Sequence, residues 1–179
     1  MPENETSKRL FAPETTHELL NGWLIHAHKG RDRHDSAARR YTSYRYWLGV
    51  PTLIISTIVG TSVFSALTSQ VSPPLWVAIL SVSAAVLTAL QTFLDFATRA
   101  DRHRATAVKY KAVIREIEQH IIICDDGKEP DPVLISGIRT KLDNLEEEAP
   151  VILPIFYDEV EAKYENVTFV KEALGLFRN

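Results

Sequence analysis

From Tyr46 to Leu94 the chain carries no Asp, Glu, Lys, Arg or His, although charged residues make up 24% of the whole. Two apolar runs, residues 47–68 and 75–94, lie inside this stretch and are separated by the short polar segment Ser69-Gln70-Val71-Ser72-Pro73-Pro74. An α-helix rises about 1.5 Å per residue, so about 20 residues cross a hydrocarbon core of roughly 30 Å. Both runs are that long, and the pair reads as a transmembrane helical hairpin turning at Pro73-Pro74. A hairpin buried in a soluble core is the alternative. It fits poorly, because soluble core helices rarely run beyond about 14 apolar residues without a charge.

The charges are concentrated outside the gap, so the formal net charge of -3 describes no part of the chain. On one side stand Lys29, Arg31, Arg33, Arg39, Arg40 and Arg45 against Asp32 and Asp35. On the other stand Arg99, Arg102, Arg104, Lys109, Lys111 and Arg115 against Asp101. The connecting turn is uncharged. This asymmetry predicts that both termini lie in the cytoplasm and the turn outside, in a multi-pass protein of the cell's inner (plasma) membrane. Anionic lipid headgroups account for the basic clusters, so membrane lipids are expected partners and nucleic acid is not. Residues 1–16 are polar and form no signal peptide, leaving the first apolar run as its own insertion signal. A single cysteine, Cys124, allows no intrachain disulfide framework and suits a cytoplasmic setting.

Helical periodicity continues beyond the gap. Leu20, Trp23, Ala27, Gly30, His34, Ala37, Tyr41, Tyr44 and Leu48 recur at spacings of three and four, as do Phe96, Ala100, His103, Ala107, Tyr110, Ile114, Ile117, Ile121 and Cys124. Such seams mark helices packed lengthwise. They predict an antiparallel cytoplasmic pair, with the second membrane helix running unbroken to Asp126 because no Gly or Pro interrupts it. Thr15 or Thr16 is the expected N-cap of the first helix. The chain is therefore read as all-α: an integral-membrane two-helix hairpin extended into a cytoplasmic helical bundle. The expected parts are a flexible arm (1–16), a cytoplasmic helix (17–45), the first span (46–68), an external turn (69–74), the second span (75–95) and its continuation (96–126). Further helices are expected over 131–148, with an apolar stripe of Leu134, Ile138, Leu142 and Leu145, and over 150–166. An amphipathic tail (167–179) follows, and residues 17–166 make one domain.

No phosphate-binding, dinucleotide, metalloprotease, CxxC or nucleophile-elbow motif occurs, so neither a catalytic residue nor a cofactor or metal ligand is assigned and no enzyme is expected. His26 and His28 point to different helix faces, which argues against a shared metal. His34 and His103 lie on the seams, where each reads as a satisfied core histidine and where the two would be near enough to meet. The spans carry the more informative pattern. Thr57, Thr61, Ser65 and Thr68 place one hydroxyl per turn on the first, roughly opposite a row of small residues, Gly49, Thr52, Ser56 and Gly60. On the second, Ser81, Ala84, Ala85, Thr88, Thr92 and Asp95 form another small-polar face with Gln91 at its edge. Small faces let helices approach closely in lipid. Gly49, Ser56, Gly60, Ala84 and Ala85 are the expected packing positions. Two such faces exceed what a lone hairpin requires, so a homo-oligomer is expected. Its hydroxyl face either lines a water-accessible pore, with Asp95 at the mouth, or bonds to its own backbone and only tunes packing.

The layout resembles the SLATT domain, the two-transmembrane effector associated with SMODS nucleotidyltransferases and SLOG sensor domains in bacterial conflict systems. The matching pieces are Ala37-Ala38-Arg39-Arg40-Tyr41 before the first span and Asp95-Phe96-Ala97-Thr98-Arg99-Ala100-Asp101-Arg102-His103-Arg104 after the second. Ala107-Val108-Lys109-Tyr110-Lys111 and Ala149-Pro150-Val151-Ile152-Leu153-Pro154 also match, so the resemblance covers residues 22–163. It implies an anti-phage or abortive-infection effector that assembles in the membrane and permeabilises it. Activation would come from a partner or nucleotide signal, made or sensed by a separate protein. The rival expectation is a membrane anchor that presents a cytoplasmic helical surface and makes no pore.

Overall fold

A computed structural model describes residues 13–125, 131–157, 160 and 163–164. Among these the chain is all-helical, without a strand: α1 (Thr16–Ser69), α2 (Leu75–Leu94), α3 (Phe96–Asp125), α4 (Pro132–Glu148) and a 3₁₀ turn, η1 (Pro154–Phe156). The tail 167–179, most of the arm, the loop 126–130, the Cys124 side chain and much of the helix expected over 150–166 lie outside the described residues. The chain divides into two compact units. Ser36–Arg104 is the hairpin unit, and the described parts of Met1–Asp35 and Ala105–Asn179 are the charged unit.

In the charged unit, α1 begins with side-chain caps. Thr15 Oγ1 accepts from the Glu18 N–H at 3.1 Å, and the Glu18 carboxylate accepts from the Glu14 N–H at 2.8 Å. One orphan amide of the first turn, that of Glu18, is thereby satisfied, and the Glu18 side chain ties back the residue before the cap. At α4, Asp131 caps by accepting from the Val133 N–H at 2.9 Å, and Pro132 takes the first helical position, where its missing N–H is no loss. α4 buries Ile138, Leu142 and Leu145 against Leu20 and Ala27 of α1 and Val113, Ile114 and Ile117 of α3. The stripe begins at Ile135, which packs against this core, and not at Leu134, which remains 45% exposed. Each fully buried Leu or Ile contributes about 1.5–3 kcal/mol. At Gly30 of α1 a Cβ would sit 2.6–2.9 Å from the ring and hydroxyl of Tyr110 on α3. Tyr110 is itself buried and stacks on His34 with ring centroids 5.8 Å apart.

The hairpin unit is organised differently. Its two helices are long and apolar enough to cross a membrane, yet only 6% of the most apolar window of each is buried. Leu53 is 69% exposed and Phe93 84%. The turn between the helices closes with Gln70 in the left-handed region (φ 55°) and the Val71 N–H bonded to the Ala66 carbonyl at 3.1 Å, a Schellman-type end. α1 passes through Pro51 without ending. Within one turn of Pro51, Gln91 Nε2 of α2 donates to the Leu48 carbonyl at 3.2 Å and to Thr52 Oγ1 at 2.7 Å.

The expected unbroken run from α2 into α3 is corrected at a single residue. Asp95 adopts φ 41°, ψ 52°, ends α2 through its own N–H on the Gln91 carbonyl, and begins α3 through Oδ1, which accepts from the Thr98 N–H at 3.3 Å. Aspartate tolerates the left-handed conformation better than most residues, and its short carboxylate is a good N-cap. One residue therefore serves both ends, where neither Gly nor Pro is present to signal a break.

Candidate functional site

The hydroxyl rows stand on the surface of the hairpin unit. Thr57, Thr61, Ser65 and Thr68 are all exposed, as are Thr88, Thr92 and Asp95, while Ser81 is half-buried. The threonines donate inward, along their own helix. Thr57 bonds the Leu53 carbonyl at 2.8 Å, Thr61 the Thr57 carbonyl at 3.0 Å, and Thr68 the Phe64 carbonyl at 2.8 Å. On α2 the same pattern joins Ser81 to Val77, Thr88 to Ala84 and Thr92 to Thr88. Each of these hydroxyls has spent its one proton on its own helix and presents only lone pairs outward. These six hydroxyls accept from water or face a cation, whereas Ser65 Oγ in the α1 row donates to no group among the described residues.

The small-residue row divides. Gly49 is half-buried, 3.8 Å from Gln91 Oε1 measured at a built Cβ, and Thr52 is buried. Ser56 and Gly60 are exposed, and a Cβ at Gly60 meets nothing within 4 Å. The side of α1 least open to solvent instead follows Leu48, Thr52, Ile55, Val59, Val63 and Ala66. The two rows are thus not opposite one another. Ser56 and Thr57 are successive residues about 100° apart, as are Gly60 and Thr61, so the exposed half of the small-residue row adjoins the hydroxyl row while Gly49 and Thr52 are covered. On α2, Ala84 is buried and Ala85 exposed.

Gln91 is the functional-looking residue that pattern reading left at the margin. It is the one side-chain amide on either span, and it holds α1 and α2 together by two hydrogen bonds at the end of the hairpin near Asp95. A lone amide within twenty apolar residues was its available signal. Beside it lies an aromatic cluster: Tyr41 stacks on His103 at 5.5 Å and on Phe96 at 6.1 Å, and Tyr44 tilts against Phe96 at 5.6 Å. Burial holds the His103 imidazole below its ordinary pKa of 6.5.

Each seam histidine therefore has a tyrosine neighbour: His34 stacks on Tyr110 and His103 on Tyr41. The other seam positions Ile114 and Ile117 are buried, and Ile121 packs at the edge of the core. Burial, reinforced by the nearby Glu146 charge, pushes the Tyr110 hydroxyl up to about 12.

The charged unit neutralises its own charges. Asp32 accepts from Arg31, Lys163 and Tyr164, the last at 2.9 Å. Burial alone raises the Asp32 pKa, but these donors outweigh it and hold the carboxyl below its ordinary range. Lys111 lies 3.6 Å from Asp35, and His26 pairs with Glu146. Lys109–Glu148 and Lys141–Glu116, both at 2.6 Å, bridge α3 to α4 over a shallow, mostly apolar cavity of about 330 Å³. Among the described residues no group of three or more His, Cys, Asp or Glu is placed to hold a metal ion.

No protein-family model, curated protein or solved structure matches this chain.

Proposed function

We propose that the chain is a membrane effector. Its hairpin crosses the bacterial inner membrane, both termini face the cytoplasm, and copies of the chain assemble into a pore or permeabilising oligomer when a partner or nucleotide signal acts on the charged unit. One observation carries this: two helices of spanning length leave only 6% of their most apolar windows buried, with large apolar side chains such as Leu53, Phe64 and Phe93 mostly exposed. Soluble monomers rarely expose contiguous apolar patches beyond a few hundred Å². Lipid covers such a surface without distorting it. The hydroxyl rows supply the polar face that an oligomer would turn to a central axis. The SLATT resemblance supplies the setting, defence against phage.

Dye and ion release from vesicles carrying the purified protein tests the proposal, alongside membrane depolarisation in cells expressing the activated form. Thr57→Leu with Thr61→Leu is expected to abolish release while leaving insertion intact. Unchanged leakage in that variant contradicts the lining face.

The inward-donating hydroxyls favour a second reading, a membrane anchor. Threonine that bonds its own helix is satisfied in lipid without a pore. The surface such an anchor would present includes Val151, Leu153 and Ile155, which are 87%, 47% and 61% exposed. An anchor releases no dye under any condition, and its charged unit binds a protein partner whether or not the hairpin is in vesicles.

A further inference from the structure

The two basic clusters look alike in the sequence and differ in what they touch. Lys109, Lys111 and Arg31 of the charged unit each pair with an acid, and Arg33 lies over the Tyr157 ring at 4.5 Å. The hairpin unit holds six arginines against only two aspartates, Asp95 and Asp101. Arg40 and Arg102 are engaged within the protein. Arg39, Arg45, Arg99 and Arg104 are exposed, and their side chains have no ion-pair or hydrogen-bond partner among the described residues.

These four sit together at one end of the hairpin. The stacking of Tyr41 on His103 and the tilted contact of Tyr44 with Phe96 bring the arginine-bearing turns of α1 and α3 side by side. Arg45 directly precedes Tyr46 and Trp47, which are 62% and 77% exposed where the charge-free stretch begins. Arg99 follows Leu94 by five residues, about 7 Å of helix, and Arg39 and Arg104 lie one to two turns farther out. A headgroup layer is about 5–8 Å deep, and unscreened attraction extends about 8 Å more. The turn at the other end, residues 69–74, has no charge at all.

We infer that Arg39, Arg45, Arg99 and Arg104 form a binding belt for the phosphates of anionic phospholipids in one leaflet, with Tyr46 and Trp47 as its interfacial aromatic edge. Guanidinium groups suit this role because they present paired donors to phosphate oxygens. With no ion pair or hydrogen bond to another described residue, they keep those donors for the membrane. The belt gives the hairpin a fixed sidedness and a requirement for anionic lipid that a merely apolar hairpin lacks.

The inference rests on the membrane-spanning reading, and the experiment separates the two. Full-length protein with Trp23→Phe and Trp76→Phe, leaving Trp47, is placed in vesicles of mixed phosphatidylglycerol and phosphatidylcholine, one lipid brominated at a time. A partner protein with Trp23→Phe and Trp47→Phe reports from Trp76 at the other end. One arginine near an anionic surface is worth about a fivefold preference. Brominated phosphatidylglycerol is therefore expected to be favoured about fivefold or more around Trp47 and not around Trp76. Changing the four arginines together to Gln removes the preference, and changing them to Lys keeps most of it. Equal quenching by both lipids, the same preference at Trp76, or a preference that survives the Gln variant overturns the belt while leaving the hairpin in the bilayer. Loss of the preference with millimolar inorganic phosphate at constant ionic strength assigns the arginines to soluble phosphate and also overturns it. If neither lipid quenches Trp47, the membrane reading itself fails.

Discussion

The charged unit and the hairpin unit are built from the same two helices, α1 and α3, with α4 added to one and α2 to the other. In the charged unit, apolar side chains meet each other and cations meet acids. In the hairpin unit, many apolar side chains face outward, and four of the six arginines, Arg39, Arg45, Arg99 and Arg104, make no ion pair or hydrogen bond among the described residues. A single packing rule does not describe both. The first unit satisfies most of its groups internally and leaves only scattered apolar side chains such as Val133 and Val151 exposed. The second leaves much of its apolar surface and four of its six arginines for something outside the chain to satisfy. An environment with an oily interior and an anionic rim meets both needs at once.

The sharpest way to break this contrast is to delete matched apolar groups. Ile117→Ala in the charged unit removes a side chain with no exposed surface and is expected to destabilise by about 2–5 kcal/mol. Leu53→Ala in the hairpin unit removes one that is 69% exposed and is expected to change stability little in detergent or lipid. Denaturant unfolding followed by circular dichroism measures both, and equal losses contradict the contrast. Next in size is a pair of glycines. Gly30→Ala drives a methyl group into the buried Tyr110 ring and should cost about 1–3 kcal/mol despite the better helix propensity. Gly60→Ala meets open space and should be neutral or slightly favourable in the monomer. Loss of an oligomer band in native electrophoresis on Gly60→Leu would identify that surface as a subunit contact.

A smaller effect belongs to Gln91. Gln91→Leu removes both cross-hairpin hydrogen bonds and is expected to cost about 0.6–2 kcal/mol, read as a lower resistance of the hairpin to denaturing detergent. The smallest is a pH dependence. Because burial lowers the His103 pKa, the unfolded chain binds a proton more readily than the folded one. The stabilisation is complete above the ordinary value of 6.5 and declines as pH falls through the lowered one. The unfolding midpoint should therefore drop on acidification below about 6.5, and His103→Phe, which keeps the stack on Tyr41, should flatten that slope. Asp32 acts at lower pH: its depressed pKa stabilises above its ordinary 3.8 and is lost as pH falls below it.

The helical class, the two long apolar helices, the Asp131-Pro132 start of α4 and the burial of most seam positions, the 40% exposed Tyr44 excepted, were legible in the residue pattern, because charge gaps and three-to-four spacing report directly on helices and their faces. Three features were not. Asp95 breaks the α2–α3 run through a left-handed conformation that non-glycine residues adopt seldom, so a search for Gly and Pro passes over it. Arg39 and Lys111 are equivalent as letters, and only the placement of Asp35 beside Lys111 distinguishes a neutralised cation from a free one. The hydroxyl rows were visible as a period, but the period is silent on whether Thr57 donates to Leu53 or outward.

The outward apolar surface of the hairpin is the central claim, and thiol reactivity tests it most directly. Single cysteines in a Cys124→Ser background at Leu53, Phe64 and Phe93 compare with others at Val133 and Val151, all of them positions at least 69% exposed. A small neutral, membrane-permeant reagent reacts only with thiolate, and so only where water reaches the sulfur. In vesicles, Val133→Cys and Val151→Cys should react quickly and the three hairpin cysteines should remain unmodified. Equally fast reaction at all five positions would show that the hairpin stands in water.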